Sequence, residues 1–209
     1  CHDRTVYMGC ELRERNLGVV GFGGIGRTLV QLLSGFGMNP PLAFDPHLDA
    51  QTIAGHGARK VELDELLRQA DFVSLHCPLS ETTRNLIGAR ELALMKPDAY
   101  LLNTARGGIV DEDALFAALS EKRIAGAALD VFAGEPILLP HRFGQFDNVI
   151  LAPHAIGWTN ELFRDLGRTA LGSIVELAHG RRPGRGVVNP EVFERPEFQA
   201  KWRRLGIDG

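Results

Sequence analysis

A chain of 209 residues that is 44% hydrophobic and 23% charged has an ordinary globular makeup and is long enough for one large domain or one and a fraction. Its net charge of −3 supplies no field that would recruit nucleic acid or an anionic membrane, and no apolar run approaches the ~20 residues needed to span a bilayer. The three cysteines (Cys1, Cys10, Cys77) lack C-x-x-C spacing, which argues against a disulfide framework or a metal site and for a reducing, cytoplasmic setting.

Residues 1–15 are polar and read as an incoming tail. The apolar run 17–21 predicts a buried strand ending in glycine. Residues 25–34 predict a helix with Ile25, Leu29, Leu32 and Leu33 on one face, closed by Gly35 and Gly37. A strand at 41–44 ends at Asp45, and 62–70 forms an amphipathic helix carrying Leu63, Leu66 and Leu67. The next strand, 72–76, is stopped by Pro78; a helix at 89–95 is ended by Pro97. Strands at 100–103, 125–129 and 149–151 follow, with a helix at 111–120 whose N-cap is Asp111. A long helix at 160–179 aligns Leu162, Leu166, Ala170, Ile174 and Leu177 on one stripe. Beyond a turn at 180–186, whose Arg181, Arg182 and Arg185 read as solvated surface, the tail 190–209 carries Phe193, Phe198 and Trp202 in need of burial.

Strand–helix alternation of this kind predicts an α/β fold, a doubly wound parallel sheet with helices on both faces. Ligands of such sheets bind outside the carboxyl ends of the strands. The domain division expected is 1–158 for the sheet domain, with 1–15 as its incoming linker, and 159–209 for an interdomain helix and return segment.

Gly21-Phe22-Gly23-Gly24-Ile25-Gly26 follows a strand and opens a helix, and Asp45 stands 19 residues after Gly26 at the end of the next strand. This is the spacing of a dinucleotide fingerprint. Gly21 permits the tight turn, Gly23 lets backbone approach a pyrophosphate, and Gly26 lets helix and strand pack. The helix N-terminus at Gly24 and Ile25 then faces the phosphates. Asp45 suits the adenosine ribose hydroxyls and repels a 2′-phosphate; Pro46 and His47 follow it, so NAD is favoured over NADP.

Three later segments each deliver a chemically distinct side chain just past a strand: Arg106, Glu135 and His154. His suits proton donation near neutral pH, a neighbouring carboxylate favours its imidazolium, and an Arg fork matches a substrate carboxylate while polarising a carbonyl. Singly, each has an ordinary structural reading as surface arginine, loop carboxylate or satisfied histidine. Jointly they predict hydride transfer on a 2-keto acid. Asp130 also ends a strand, with turn capping as its other reading, and His76 reads as structural.

Residues 18–27, His76-Cys77-Pro78-Leu79 with Thr82-Thr83, Asn103-Thr104-Ala105-Arg106-Gly107, Leu129-Asp130-Val131-Phe132 with Glu135-Pro136, and Pro153-His154 together resemble the D-isomer-specific 2-hydroxyacid dehydrogenases over about residues 12–189. The resemblance implies a Rossmann-type NAD domain and interconversion of a 2-keto acid with a D-2-hydroxy acid. Arg106 would bind the substrate, His154 would act as acid/base and Glu135 as its partner. Asp130 would hold the nicotinamide carboxamide, while Cys77, Thr104, Ala105 and Gly157 would line the cofactor beside Arg106 and His154. It further implies a homodimer and a substrate domain built mostly from residues before the cofactor domain, expected to be largely missing here, so that the C-terminal aromatics would pack on an absent partner. An NAD(H)-sensing, corepressor-like module of the same fold is the alternative. Glu135, where related formate enzymes carry Gln, argues against formate as substrate. Trp158 is open between a wall of the substrate pocket and core.

Overall fold

The computed structural model describes residues 8–137 and 140–204; Cys1, the first part of the incoming tail and the last five residues lie outside the described residues. Strand β1 (Leu17–Val20) is buried at every position and is flanked by β2 (Leu42–Phe44) and β4 (Phe72–Leu75). With β3 (Arg59–Lys60), β5 (Tyr100–Asn103), β6 (Gly126–Leu129) and β7 (Val149–Leu151) they form a seven-stranded sheet in the order β3-β2-β1-β4-β5-β6-β7. Every pairing is parallel. The order reverses between β1 and β4, which opens a crevice at their carboxyl ends.

The connections from β1 to β6 carry helices α1 (Gly24–Leu33), α2 (Ala50–Ala54), α3 (Leu63–Gln69), α4 (Ala89–Leu94) and α5 (Glu112–Ser120), and the one from β6 to β7 a 3-10 turn (Arg142–Gln145). One apolar cluster includes Leu66, Leu67, Val73, Leu75, Leu101 and Leu115; a second, smaller one includes Val19, Phe22, Val30, Ala43 and Ile53. This is the doubly wound α/β arrangement expected from the sequence, with two differences of detail. Helix α2 and strand β3 escape periodicity because five and two residues are too short to show one. The buried face of α1 runs through Gly26 and Val30 rather than Ile25 and Leu32, which are 70% and 69% exposed. The cause is Gly26, where the helix presses closest to the sheet: a Cβ there would lie 2.6 Å from the Gly21 carbonyl oxygen and 2.9 Å from Val19 Cγ1.

The chain divides into two compact units, the first ending at Ile156 and the second starting at Gly157; the sequence reading put the division after residue 158. The second unit comprises α6 (Asn160–Ala178), a 3-10 turn (Pro190–Glu194) and α7 (Pro196–Arg204). No residue of α6 is buried. Phe193, Phe198 and Trp202, the tail aromatics in need of burial, pack edge-on and tilted against one another with ring centroids 4.9–6.2 Å apart. Arg182 is not simply solvated, since it pairs with Glu194 at 2.7 Å and lies over the Phe193 ring. Among the described residues no helix is long and apolar enough to cross a membrane.

Gly26→Ala should cost about 1–3 kcal/mol of stability in urea unfolding, because the added methyl overpacks the α1–β1 contact.

Candidate active site

The glycine loop leaves β1 at the point where the strand order reverses. Gly21 lies tight against the next strand's end, where a Cβ would be 2.5 Å from the Cys77 nitrogen. Its N-cap, Gly23, has no side chain to cap α1, and the Cβ positions of Gly23 and Gly24 face open space. Free N–H groups at a helix N-terminus, with room in front of them, fit a pyrophosphate. Asp45 stands beside this loop: Oδ2 accepts from Phe22 N at 2.9 Å and Oδ1 from His47 N at 2.9 Å. The same carboxylate therefore shapes the loop and sits where a ribose would be read. Cys77 is buried, and desolvation, with Asp45 nearby, pushes its thiol up, so it presents a neutral wall. Burial likewise lowers His76, whose Nε2 bonds Ser74 Oγ at 2.9 Å.

The loops after β6 and β7 converge. His154 Nδ1 and Glu135 Oε2 lie 2.7 Å apart. An ionised carboxylate carries no proton, so Nδ1–H is the donor and Nε2 is left for chemistry. Glu135 Oε1 accepts from Phe132 N at 2.9 Å. The Glu135 carboxyl is held below the usual glutamate range, first by the hydrogen bond from His154, then by the Phe132 N–H, with the charges of His154 and Arg106 adding to the effect. His154 itself sits in the left-handed region with φ 56°.

Asp130 explains how that conformation is held. It is 4% exposed, and its Oδ1 accepts from Ala155 N at 3.0 Å while both oxygens lie within reach of Ile156 N at 3.3–3.4 Å. Its carboxylate thus caps the turn that His154 begins. Arg106 is exposed, with Nη1 donating to the Ala105 carbonyl at 2.6 Å and no carboxylate bonded to it among the described residues. Thr104 is exposed and Ala105 half-buried on the same loop. Gly157 and Trp158 belong to the second unit, where Trp158 is 65% exposed and packs edge-on against Phe163.

Two residues not singled out in the sequence organise these loops. Asn103, 2% exposed, accepts from Ala105 N at 3.1 Å and donates to the Arg106 carbonyl at 3.0 Å, clasping the Arg106 loop. Its signal was an amide at the last position of a buried strand. Glu112 Oε1 accepts from Ala133 N at 2.6 Å, a contact across 21 residues that no local pattern announces. No cluster of metal ligands occurs among the described residues.

Residues 2–155 match the model of the D-isomer specific 2-hydroxyacid dehydrogenase NAD binding domain. The chain is 40% identical to glyoxylate reductase of Thermococcus litoralis over 188 residues, covering 90% of this chain and 56% of that protein. It is 46% identical to (S)-sulfolactate dehydrogenase of Chromohalobacter salexigens over 159 residues, covering 76% and 51%. The NAD-complexed D-isomer specific 2-hydroxyacid dehydrogenase from Lactobacillus delbrueckii ssp. bulgaricus superposes with a TM-score of 0.79 at 32% identity, covering 88% of this chain and 59% of that one. The chain therefore spans about half the length of the relatives it matches. The matched domain is an NAD-binding one, and the cofactor is NAD.

Asp130→Ala should lower stability by about 1–3 kcal/mol in chemical unfolding, because two loop N–H groups lose their buried acceptor. For Glu135 the lowered carboxyl sets the sign: its contribution is complete above the ordinary glutamate pKa of about 4.3 and is lost as pH falls through the lower folded-state value. Titration of the Glu135 carboxyl by carbon NMR should show that low midpoint, and His154→Ala should return it toward the ordinary range.

Proposed function

The chain belongs to the D-isomer-specific 2-hydroxyacid dehydrogenases, and from that premise we propose that it interconverts a 2-keto acid and a D-2-hydroxy acid. The observation that carries this reading is the 2.7 Å contact of His154 Nδ1 with Glu135 Oε2, beside an arginine not bonded to a carboxylate among the described residues. NADH, when bound, supplies the hydride that adds to the C2 carbonyl carbon. The guanidinium of Arg106 takes the substrate carboxylate and polarises the carbonyl, so that charge building on oxygen meets a fixed cation. His154 delivers the proton from Nε2 to that oxygen, and Glu135 holds Nδ1–H so that the ring keeps its tautomer and orientation. In the oxidising direction His154 takes the hydroxyl proton back, and Glu135 stabilises the imidazolium that forms.

On this reading Thr104, Ala105 and Cys77 line the cofactor, and Asp130 meets the nicotinamide carboxamide in addition to capping the His154 turn. The substrate is a small acid of the kind the relatives' names denote, glyoxylate or sulfolactate. The resemblance and the sparse cysteines support a homodimer in the cytoplasm, and the chain's modest negative charge supports no nucleic-acid or membrane partner.

The test follows NADH absorbance with glyoxylate, hydroxypyruvate, pyruvate, phenylpyruvate and sulfopyruvate, in the longest form of the polypeptide its source produces. His154→Ala should lower kcat by about 10²–10⁴-fold. Arg106→Ala should mainly raise KM for the acid, and both variants should bind NADH as the parent does. Tight NADH binding with no turnover of any acid would overturn the enzymatic reading in favour of an NAD(H) sensor. Turnover that survives both substitutions would overturn the residue roles.

A further inference from the structure

We propose that Glu112 is a positioning residue for the His154–Glu135 pair, acting through the peptide unit between Phe132 and Ala133. This inference rests on the dehydrogenase reading only for its effect on turnover.

Glu112 is the first residue of α5, directly after the N-cap. The cap itself is made by Asp111, whose Oδ1 accepts from Asp113 N and Ala114 N at 3.0 and 3.1 Å. The Glu112 side chain is therefore not needed for capping and reaches across to the β6 loop. There its Oε1 takes the Ala133 N–H at 2.6 Å. The carbonyl of the same peptide unit, on Phe132, lies so close to Gly107 that any Cβ at 107 would overlap it. One peptide plane is thus gripped on both sides, by Glu112 at its N–H and by the backbone of the Arg106 loop at its oxygen. The preceding N–H, on Phe132, donates to Glu135 Oε1 at 2.9 Å, and the other oxygen of Glu135 meets His154. Fixing the Phe132–Ala133 peptide therefore fixes the donor that orients Glu135, and fixes its distance from Arg106.

Glu112 is held in turn. Its side chain is 19% exposed, and Arg142 Nη2 lies 3.7 Å from Glu112 Oε2. Arg142 also pairs with Asp113 and lies over the rings of Phe143, at 5.2 Å, and Phe116, at 5.6 Å. Phe143 is fully buried, so the cation is anchored to core. Ala133 and Glu135, by contrast, are exposed. An exposed loop pinned by a core-anchored carboxylate is what a reacting group needs when displacements of about 1 Å cost about 10²-fold in rate.

The test is carried out on the 209-residue chain, with the Glu135 carboxyl titrated by carbon NMR. In Glu112→Ala the Glu135 midpoint should rise toward the ordinary glutamate range, because Phe132 N–H and His154 are no longer held on it together. Glu112→Gln keeps an oxygen facing Ala133 N–H and should restore the low midpoint. Arg142→Gln, which leaves Glu112 in place but unanchored, should give a smaller shift in the same direction and serves if Glu112→Ala does not fold. In the turnover assay with NADH and a keto acid, Glu112→Ala should lose about tenfold in kcat with KM for the acid nearly unchanged, and Glu112→Gln should recover it. A Glu135 midpoint that stays low in folded Glu112→Ala, or in Arg142→Gln where that variant alone folds, overturns the proposal whatever kcat does. If the midpoint moves while the parent protein turns over no keto acid, the positioning role stands and the dehydrogenase reading falls.

Discussion

The hydrogen bond between His154 Nδ1 and Glu135 Oε2 joins residues 19 apart in sequence, and it exists because β6 and β7 are neighbours. Leu129 pairs with Leu151 in the parallel register, so the two strands finish side by side and their loops leave the sheet together. The Arg106 loop leaves β5, the next strand, where Asn103 pairs with Leu129. Three adjacent parallel strands thus deliver an arginine, a carboxylate and a histidine to one edge. The crossovers make this possible, α5 between β5 and β6 and a segment with a 3-10 turn (Arg142–Gln145) between β6 and β7, since parallel neighbours require that the chain return to the same end of the sheet before the next strand begins.

Loops at such an edge carry backbone groups with no ladder partners, and every buried one must be satisfied. Here side-chain carboxylates and an amide do much of that work. Asp45 takes Phe22 and His47 N–H groups, Asp130 takes Ala155 and Ile156, Glu112 takes Ala133, and Asn103 takes the Ala105 N–H while donating to the Arg106 carbonyl. Satisfying these groups and aiming the functional side chains are the same act. Asp130 shows it most plainly: by holding the two N–H groups after His154 it stabilises a left-handed backbone that a histidine adopts only at a cost.

Much of this was legible in the sequence because its cause is local. Buried parallel strands read as short apolar runs, and 72–76 or 100–103 needed nothing more. The glycine loop was legible because its glycines and Asp45 stand at the fixed spacing of a dinucleotide fingerprint, and Asp45 does fold onto the loop through Phe22 N. On α1, Leu29 and Leu33 pack against the core as read, whereas Ile25 and Leu32 do not, because a glycine, which no hydrophobicity pattern counts, sets the closest approach of helix to sheet. The need of Phe193, Phe198 and Trp202 for burial was legible, but their contact with one another was not, because it requires a turn between the 3-10 segment and α7. Glu112 was invisible because an acidic residue in a helix's first turn already has an ordinary explanation in the helix dipole. Only the sheet order shows that α5 begins beside the β6 loop.

The exposure of the pair decides how it is held. The His154 side chain is 46% exposed and that of Glu135 33%, so water screens their attraction, and ion pairs in such surroundings are worth about 0–1 kcal/mol. That is too little to hold two loops in one arrangement against their own conformational freedom, which costs about 1–2 kcal/mol for each backbone residue ordered. The contact must therefore be a consequence of loop geometry rather than its cause. The anchors that supply that geometry lie deeper: Asp130 is 4% exposed, and Glu112 is tied through Arg142 to the fully buried ring of Phe143. The exposed carboxylate of Glu135 then orients the histidine ring, while the buried and half-buried carboxylates behind it hold the loops that carry the pair.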